Sequence, residues 1–354
     1  MQALILAGGE GTRLRPLTST VPKPVVRLVD RPFIAFMLEW LASHGVDDVI
    51  MSCGFLASGV RDVLGDGERY GTRIRYVDEP QPLGTGGALK FAEDLLDERF
   101  LMLNGDVLTD IDLTRQIEQH ARTGASGTLA LVSVPDPSAY GLVRTDAEGR
   151  VVEFLEKPPA DAAIAVNTIS AGAYVLERSV LELLEPGRKA SIERDVFPRL
   201  VGAGLHARVS EDYWLDIGTP ERYLQGTFDI LDGVVATKVR PGAVDGVVAP
   251  AVVGADCRIA EGAHVGGRVV LGDGVTIGQR SVVERAVVLD GASIGADCVL
   301  RDCVVGPGAR VGDHSRVQNL AMLGQDVSIG AGNVVTNGAR VFAGVSLPDG
   351  ALQF

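Results

Sequence analysis

Residues 8–23 of this 354-residue chain read GGEGTRLRPLTSTVPK. Gly8, Gly9 and Gly11 follow an apolar run ending in Leu6 and Ala7, and three residues without Cβ atoms let a backbone approach a ligand closely. Thr12 adds a hydroxyl, while Arg13, Arg15 and Lys23 bring positive charge to the same segment. Backbone N–H groups, a hydroxyl and fixed cations together suit a polyphosphate. Neither of the two familiar phosphate loops fits. The dinucleotide fingerprint needs glycine where Leu14 stands, and the Walker pattern needs Gly-Lys followed by Ser or Thr. Taken alone, the segment is equally a strand-to-helix turn with solvated arginines.

The elements that must present this loop are legible around it. Up to about Leu231, short apolar runs (ALILAG, DDVIMS, IRYVDE, FLMLNGD) alternate with amphipathic stretches such as FIAFMLEWLASHG, in which Phe33, Phe36, Met37, Trp40 and Leu41 recur at helical spacing. That alternation predicts a doubly wound, Rossmann-like α/β sheet with ligands at the carboxyl ends of its strands. From Val253 the period changes to six. Val253, Ile259, Val265, Leu271, Ile277 and Val283, then Val288, Ile294, Val299, Val305, Val311 and onward to Val341, keep this spacing with two five-residue steps, and many are followed by Gly. Three six-residue rungs make one turn of a parallel β-helix, so roughly five coils are expected. The bridging stretch DGVVATKVRPGAVDGVVAP carries turn formers and no helical period. The expected organisation is an α/β domain over 1–231, a linker over 232–250 and a repeat domain over 251–354.

Composition excludes several classes. A net charge of −13 argues against a nucleic-acid partner, since phosphate backbones are held by basic surfaces. No apolar run is long enough for a membrane span, and the first residues carry no basic leader or cleavage-like site. Cys53, Cys257, Cys298 and Cys303 form no CxxC pair and no zinc-like cluster, which predicts free thiols in a reducing compartment, the cytoplasm.

The full string GGEGTRLRPLTSTVPKP resembles the signature of the sugar nucleotidyltransferases, or nucleotide-sugar pyrophosphorylases, which join an NTP to a sugar 1-phosphate and release pyrophosphate. That resemblance implies further motifs downstream, and they follow in order. FLMLNGD ends at Asp106 and YWLDIGTPERY supplies Asp216, the pair implied to bind Mg2+. VVEFLEKPP supplies Glu156 and Lys157 for the sugar and its phosphate, and Tyr140 and Gly141 open the strand beneath the sugar. The implied nucleotide site comprises Leu6, Ala7, Gly8, Gly9, Gly11, Thr12, Arg13, Glu79, Gly84 and Asp106. The implied sugar-phosphate site comprises Tyr140, Gly141, Glu156, Lys157 and Ser170. Arg13, Lys23, Asp106, Lys157 and Asp216 are the implied catalytic set.

The chemistry is consistent with those types. A sugar-phosphate oxygen attacks the α-phosphorus and pyrophosphate leaves, so two anions must be brought together and charge neutralisation is the main task. Magnesium takes oxygen ligands, commonly one or two carboxylates plus substrate phosphates. No general base is required, because a sugar phosphate is already ionised.

The stretch EPQPLGTGGALK resembles guanylyltransferases acting on mannose 1-phosphate, and equally those acting on a heptose 1-phosphate. Relatives using thymidine or uridine triphosphate typically read the base with glutamine where Glu79 stands here. A carboxylate accepts both the N1–H and the N2–H₂ of guanine, whereas an amide suits thymine or uracil. Glu79 is otherwise a cap for the helix starting near Gly84. Ser170, in NTISAGAYVL, replaces the asparagine of mannose-type relatives and leaves the sugar open. A terminal left-handed β-helix is common among mannose 1-phosphate guanylyltransferases and favours mannose, with glucose 1-phosphate thymidylyl transfer as the alternative. Acyl transfer on the hexapeptide scaffold would need a histidine base, and this half offers only His264 and His314. A non-catalytic paralogue is also an alternative, though the charged set is intact. The repeat domain is further expected to join copies of the chain into a homo-oligomer.

Overall fold

The stretch QALIL forms β1 (Gln2–Leu6), whose Ala3, Leu4 and Ile5 are wholly buried in the middle of a nine-stranded sheet. Burial on both faces is what an unbroken apolar run at the centre of a parallel sheet requires. The computed structural model describes all residues except Phe55, 157–165, Ala243 and Phe354. It divides into two units, one of residues 1–9 and 34–214, the other of residues 10–33 and 215–354.

In the first unit, α1 (Phe33–Ser43, of which residues 34–43 belong here) is followed by β2 (Asp48–Cys53), α2 (Ala57–Leu64), β3 (Arg73–Asp78), α3 (Gly84–Phe91) and β4 (Arg99–Asn104). Then come α4 (Leu113–Thr123), β5 (Gly127–Ser133), β6 (Gly141–Thr145), β7 (Val151–Glu156), β8 (Thr168–Glu177) and β9 (Leu205–Ser210). The strand order is β7-β6-β8-β4-β1-β2-β3, with β5 beside β8 and β9 beside β5. β3, β2, β1 and β4 are mutually parallel, whereas β8 runs antiparallel to β4, β5 and β6. The doubly wound half expected from the sequence is therefore continued by an antiparallel half. On α1 the burial goes beyond the one stripe expected: Ile34, Ala35 and Leu38 are as inaccessible as Leu41. Glu39 and Ala42 are half-buried and Ser43 is exposed, so the enclosed face is wide but leaves one polar edge.

The second unit contains a left-handed parallel β-helix. Its rungs stack in three columns: Val247, Val265, Val283, Leu300, Val317 and Val335; Val253, Leu271, Val288, Val305, Leu323 and Val341; Ile259, Ile277, Ile294, Val311, Ile329 and Leu347. The inward residue of the fourth rung in the first column is Leu300, not Val299 as the spacing suggested. Leu300 is the one in register with Val283 and Val317, while Val299 pairs with the outward Arg316. With Leu300 inward, the two five-residue steps run from Val283 to Val288 and from Leu300 to Val305, and both fall in strands that run through a corner, Val282–Val288 and Val299–Val305, where Arg285 and Asp302 take positive φ of 48° and 45°.

Aspartates tie the corners. Asp290 Oδ1 accepts the amide N–H of Asp273 at 2.8 Å, and Asp273 Oδ1 does the same for Ala255. Gly272 admits Asp290, since a Cβ there would meet its Oδ1 at 2.3 Å. Helix α5 (Pro220–Leu231), capped by Thr219, lies in this unit with Phe228 beneath the Arg285 guanidinium. The contacts therefore group α5 with the repeats, although its sequence period continues that of the α/β half. All four cysteines are free, and burial pushes the Cys298 and Cys303 thiols up. Among the described residues no helix is long and apolar enough to cross a membrane.

Candidate active site

Strand order reverses at β1, with β2 on one side and β4 on the other, so the loops leaving β1 and β4 flank the crevice where open α/β sheets take ligands. Leu6 and Asn104 are partners in register, and the N–H of Gly105 donates to the Leu6 carbonyl at 2.9 Å. A Cβ on Gly105 would lie 2.6 Å from that carbonyl oxygen, so only glycine lets the two strand ends close. Asp106 follows, half-buried, at the carboxyl end of β4.

Next to β1, the ends of β2 and β3 bring Gly54 and Glu79 against Gly8. A Cβ on Gly8 would sit 3.6 Å from the Gly54 nitrogen and 3.7 Å from Glu79 Oε1. Glu79 Oε1 accepts the Ser52 hydroxyl proton at 2.7 Å, and Oε2 accepts the Leu83 N–H at 3.1 Å. Leu83 is the N-cap of α3, so the carboxylate does bind the start of that helix. Each carboxylate oxygen has two acceptor sites, which leaves one on each for a ligand. Gly84 lies with its Cα toward the Ala190 carbonyl, 2.5 Å from a would-be Cβ, so packing on the segment before Ile192 also demands glycine there.

A second cluster gathers on the antiparallel half. Gly141 and Glu156 are partners across β6 and β7, and a Cβ on Gly141 would come 2.8 Å from Glu156 Oε2. Tyr140 meets Trp214 edge to face at 5.4 Å, and Trp214 Nε1 donates to the Ala171 carbonyl at 2.8 Å. Ser170 stands where the register of β8 shifts, its hydroxyl 2.8 Å from the Tyr174 phenol oxygen. Complete burial pushes the Tyr174 phenol well above its usual range, which keeps it protonated and able to donate to Ser170. Lys157 lies outside the described residues.

The charged part of the opening loop belongs to the second unit. Thr12–Leu14 form a short 3₁₀ turn entered through Gly11, whose φ is 62°, and the Gly11 carbonyl takes the Thr18 hydroxyl at 2.7 Å and the Leu14 N–H at 2.9 Å. Arg13 Nη2 stands 4.0 Å from Asp216 Oδ2, its side chain 64% exposed and the aspartate 17%. Lys23 is only 8% exposed, with its Cβ and Cδ against Gly11. A lysine so enclosed is unusual.

A model of the family described as nucleotidyl transferase matches residues 2–233. The chain belongs to this family. A second model, described as the GMPPB C-terminal domain, matches residues 247–347 of this nucleotidyltransferase. It is 38% identical over 308 residues to a mannose-1-phosphate guanylyltransferase of Mycobacterium tuberculosis, covering 80% of this chain and 83% of that one. It is 33% identical over 320 residues to a UTP–glucose-1-phosphate uridylyltransferase of Synechocystis, covering 81% of this chain and 82% of that one. Among solved structures it is similar to HddC from Yersinia pseudotuberculosis complexed with GMP-PN, with a TM-score of 0.55 and 31% identity over 63% of this chain and 96% of that one. Nucleotidyltransferases of this family generally use a divalent metal.

Two candidate residues of this nucleotidyltransferase escaped the sequence reading. Ser52 holds Glu79 but is one hydroxyl in an apolar strand, with no spacing to flag it. Trp214 stands two residues before Asp216 in YWLD, and a tryptophan beside an implied metal ligand was the available signal.

Proposed function

We propose that the protein transfers GMP from GTP to mannose 1-phosphate, giving GDP-mannose and pyrophosphate. The observation that carries the base assignment is Glu79, a carboxylate pinned by Ser52 and Leu83 against the backbone of Gly8. Held at both oxygens, it stays oriented before a base arrives, and a fixed pair of acceptors matches the adjacent N1–H and N2–H₂ donors of guanine. The Mycobacterium relative's name and the HddC complex with GMP-PN support this reading. The Synechocystis relative's name favours a second one, uridylyl transfer to glucose 1-phosphate, which the same assay discriminates.

In this reading the sugar-phosphate oxygen forms a bond to the α-phosphorus while the bond to the β-phosphate oxygen breaks, and the electron pair leaves with pyrophosphate. Arg13 and Lys23 counter the charge of the leaving group, and Lys157 holds the attacking phosphate against repulsion. Tyr140, Gly141, Glu156 and Ser170 orient the sugar. Asp106 and Asp216 offer oxygen donors only, which fits magnesium better than a softer ion. Among the described residues no three His, Cys, Asp or Glu side chains gather as a cation site, so phosphate oxygens would complete the shell. Bound Mg2+ would supply neutralisation of the phosphate charge.

The same proposal places the enzyme in the cytoplasm and makes it a homo-oligomer through the β-helix, where Phe342 and Val345 are exposed apolar side chains on the last coils. Sedimentation of the full chain as a monomer alone would contradict the assembly. Pyrophosphate release from each NTP with each sugar 1-phosphate tests the reaction. GTP with mannose 1-phosphate is expected to lead, and no release from any pair would remove it.

A further inference from the structure

The segment 10–33 that carries Arg13 and Lys23 is fastened to the β-helix by side chains far away in sequence. Arg340 Nη1 donates to the Arg13 carbonyl at 2.8 Å. Thr20 Oγ1 donates to Gln325 Oε1 at 3.2 Å, and Arg27 forms an ion pair with Asp290. Pro16 rests on Gly324, with Cβ 3.1 Å from where a glycine side chain would begin. The Tyr223 hydroxyl of α5 holds the Arg27 carbonyl at 2.7 Å.

The Arg340 bond has a specific physical meaning. Thr12–Leu14 is a single 3₁₀ turn whose own hydrogen bonds run from Leu14 N–H to Gly11 and from Arg15 N–H to Thr12. The Arg13 carbonyl receives nothing from those two bonds, and carbonyls at the end of a turn need an outside donor. A guanidinium is the strongest donor a side chain can bring, and it favours the negative end of the turn.

We propose that Arg340, aided by Gln325, is a positioning residue for the nucleotide loop: the β-helix fixes the turn from which Arg13 reaches the phosphates. The functional half rests on the reading that this loop holds the nucleotide. The structural half does not.

The test uses the full chain with Arg340→Ala, Arg340→Lys and Thr20→Val, and Arg280→Ala as a control whose ion pair with Asp297 lies elsewhere on the β-helix. Hydrogen exchange at the amides of Leu14 and Arg15 is read without substrate. Arg340→Ala is expected to speed exchange there by about tenfold, Arg340→Lys to restore most protection, and Arg280→Ala to change nothing. In turnover, Arg340→Ala is expected to lower kcat/KM for GTP by about tenfold while the KM for the sugar phosphate holds. Should Arg340→Ala fail to fold, Thr20→Val carries the same expectation through the Gln325 contact. Unchanged exchange at Leu14 and Arg15 in the folded variants would overturn the proposal. Faster exchange in a protein that releases no pyrophosphate with any pair would leave positioning intact and remove only the reaction.

Discussion

The hydroxyl of Ser52 donates to Glu79 Oε1 at 2.7 Å across the ends of two adjacent parallel strands, while the other oxygen of the same carboxylate holds the Leu83 amide. A side chain tied at both ends can select a base without being reorganised by it. Glu79→Gln can keep both ties, with its oxygen toward Leu83 and its amide toward Ser52, yet it loses one acceptor. Facing guanine, the spoiled contact should cost about 1–3 kcal/mol. Competition between GTP and dTTP at equal concentration should then shift toward dTTP by about tenfold or more. Equal slowing of both nucleotides would show that Glu79 only caps α3.

Asp216 stands 4.0 Å from Arg13 with most of its surface covered. Asp216→Asn keeps the size and removes the charge, so turnover at saturating magnesium should fall by at least about tenfold if the carboxylate helps to hold the ion. An unchanged rate there removes the aspartate from the site.

Gly105 offers a structural control on the crevice between the ends of β1 and β4. Gly105→Ala would press a methyl group onto the Leu6 carbonyl and onto Ile5 Cγ2, at 2.6 and 3.1 Å in the present geometry. Parting β1 from β4 should destabilise the fold by about 1–3 kcal/mol. Thermal unfolding that shows no loss would mean the strand ends move apart freely.

How much of this was legible beforehand differs between the two units. The six-residue period marked nearly every inward side chain of the β-helix, because a rung has room for one apolar residue and the repeat copies it. It failed at Val299, where the strand runs through its corner and only cross-coil register shows that Leu300 points inward. The strand-end positions of Asp106 and Glu79 could be read from short apolar runs ending in acids. What holds those acids could not: the Ser52 hydroxyl and the Leu83 amide reach Glu79 through the pairing of β2 and β3, a long-range relation with no local pattern. Likewise, nothing in residues 10–33 announces Gln325 or Arg340.

Acid should weaken the first unit in a defined window. His120 is buried with Nδ1 at Thr128 Oγ1 and Nε2 3.0 Å from Glu177, and desolvation holds its pKa below the ordinary 6.5. A histidine whose folded pKa is depressed binds its proton more readily when unfolded. Its contribution is therefore complete above pH 6.5 and is lost as pH falls below that value. Glu177, whose pKa is lowered by its bonds to His120 and Arg99 despite burial, adds a loss below its ordinary 4.5. Thermal midpoints should drop between neutral pH and about pH 5.5, and His120→Gln should flatten that drop. A variant with the same slope would place the sensitivity elsewhere.

The most direct measurement is a matrix of initial rates: GTP, UTP and dTTP, each against mannose 1-phosphate and glucose 1-phosphate, with magnesium, read as pyrophosphate released by the full chain. Guanylyl transfer to mannose predicts that GTP with mannose 1-phosphate exceeds every other pair in kcat/KM by about tenfold or more. A faster UTP or dTTP pair with glucose 1-phosphate, or no release from any pair, would contradict it.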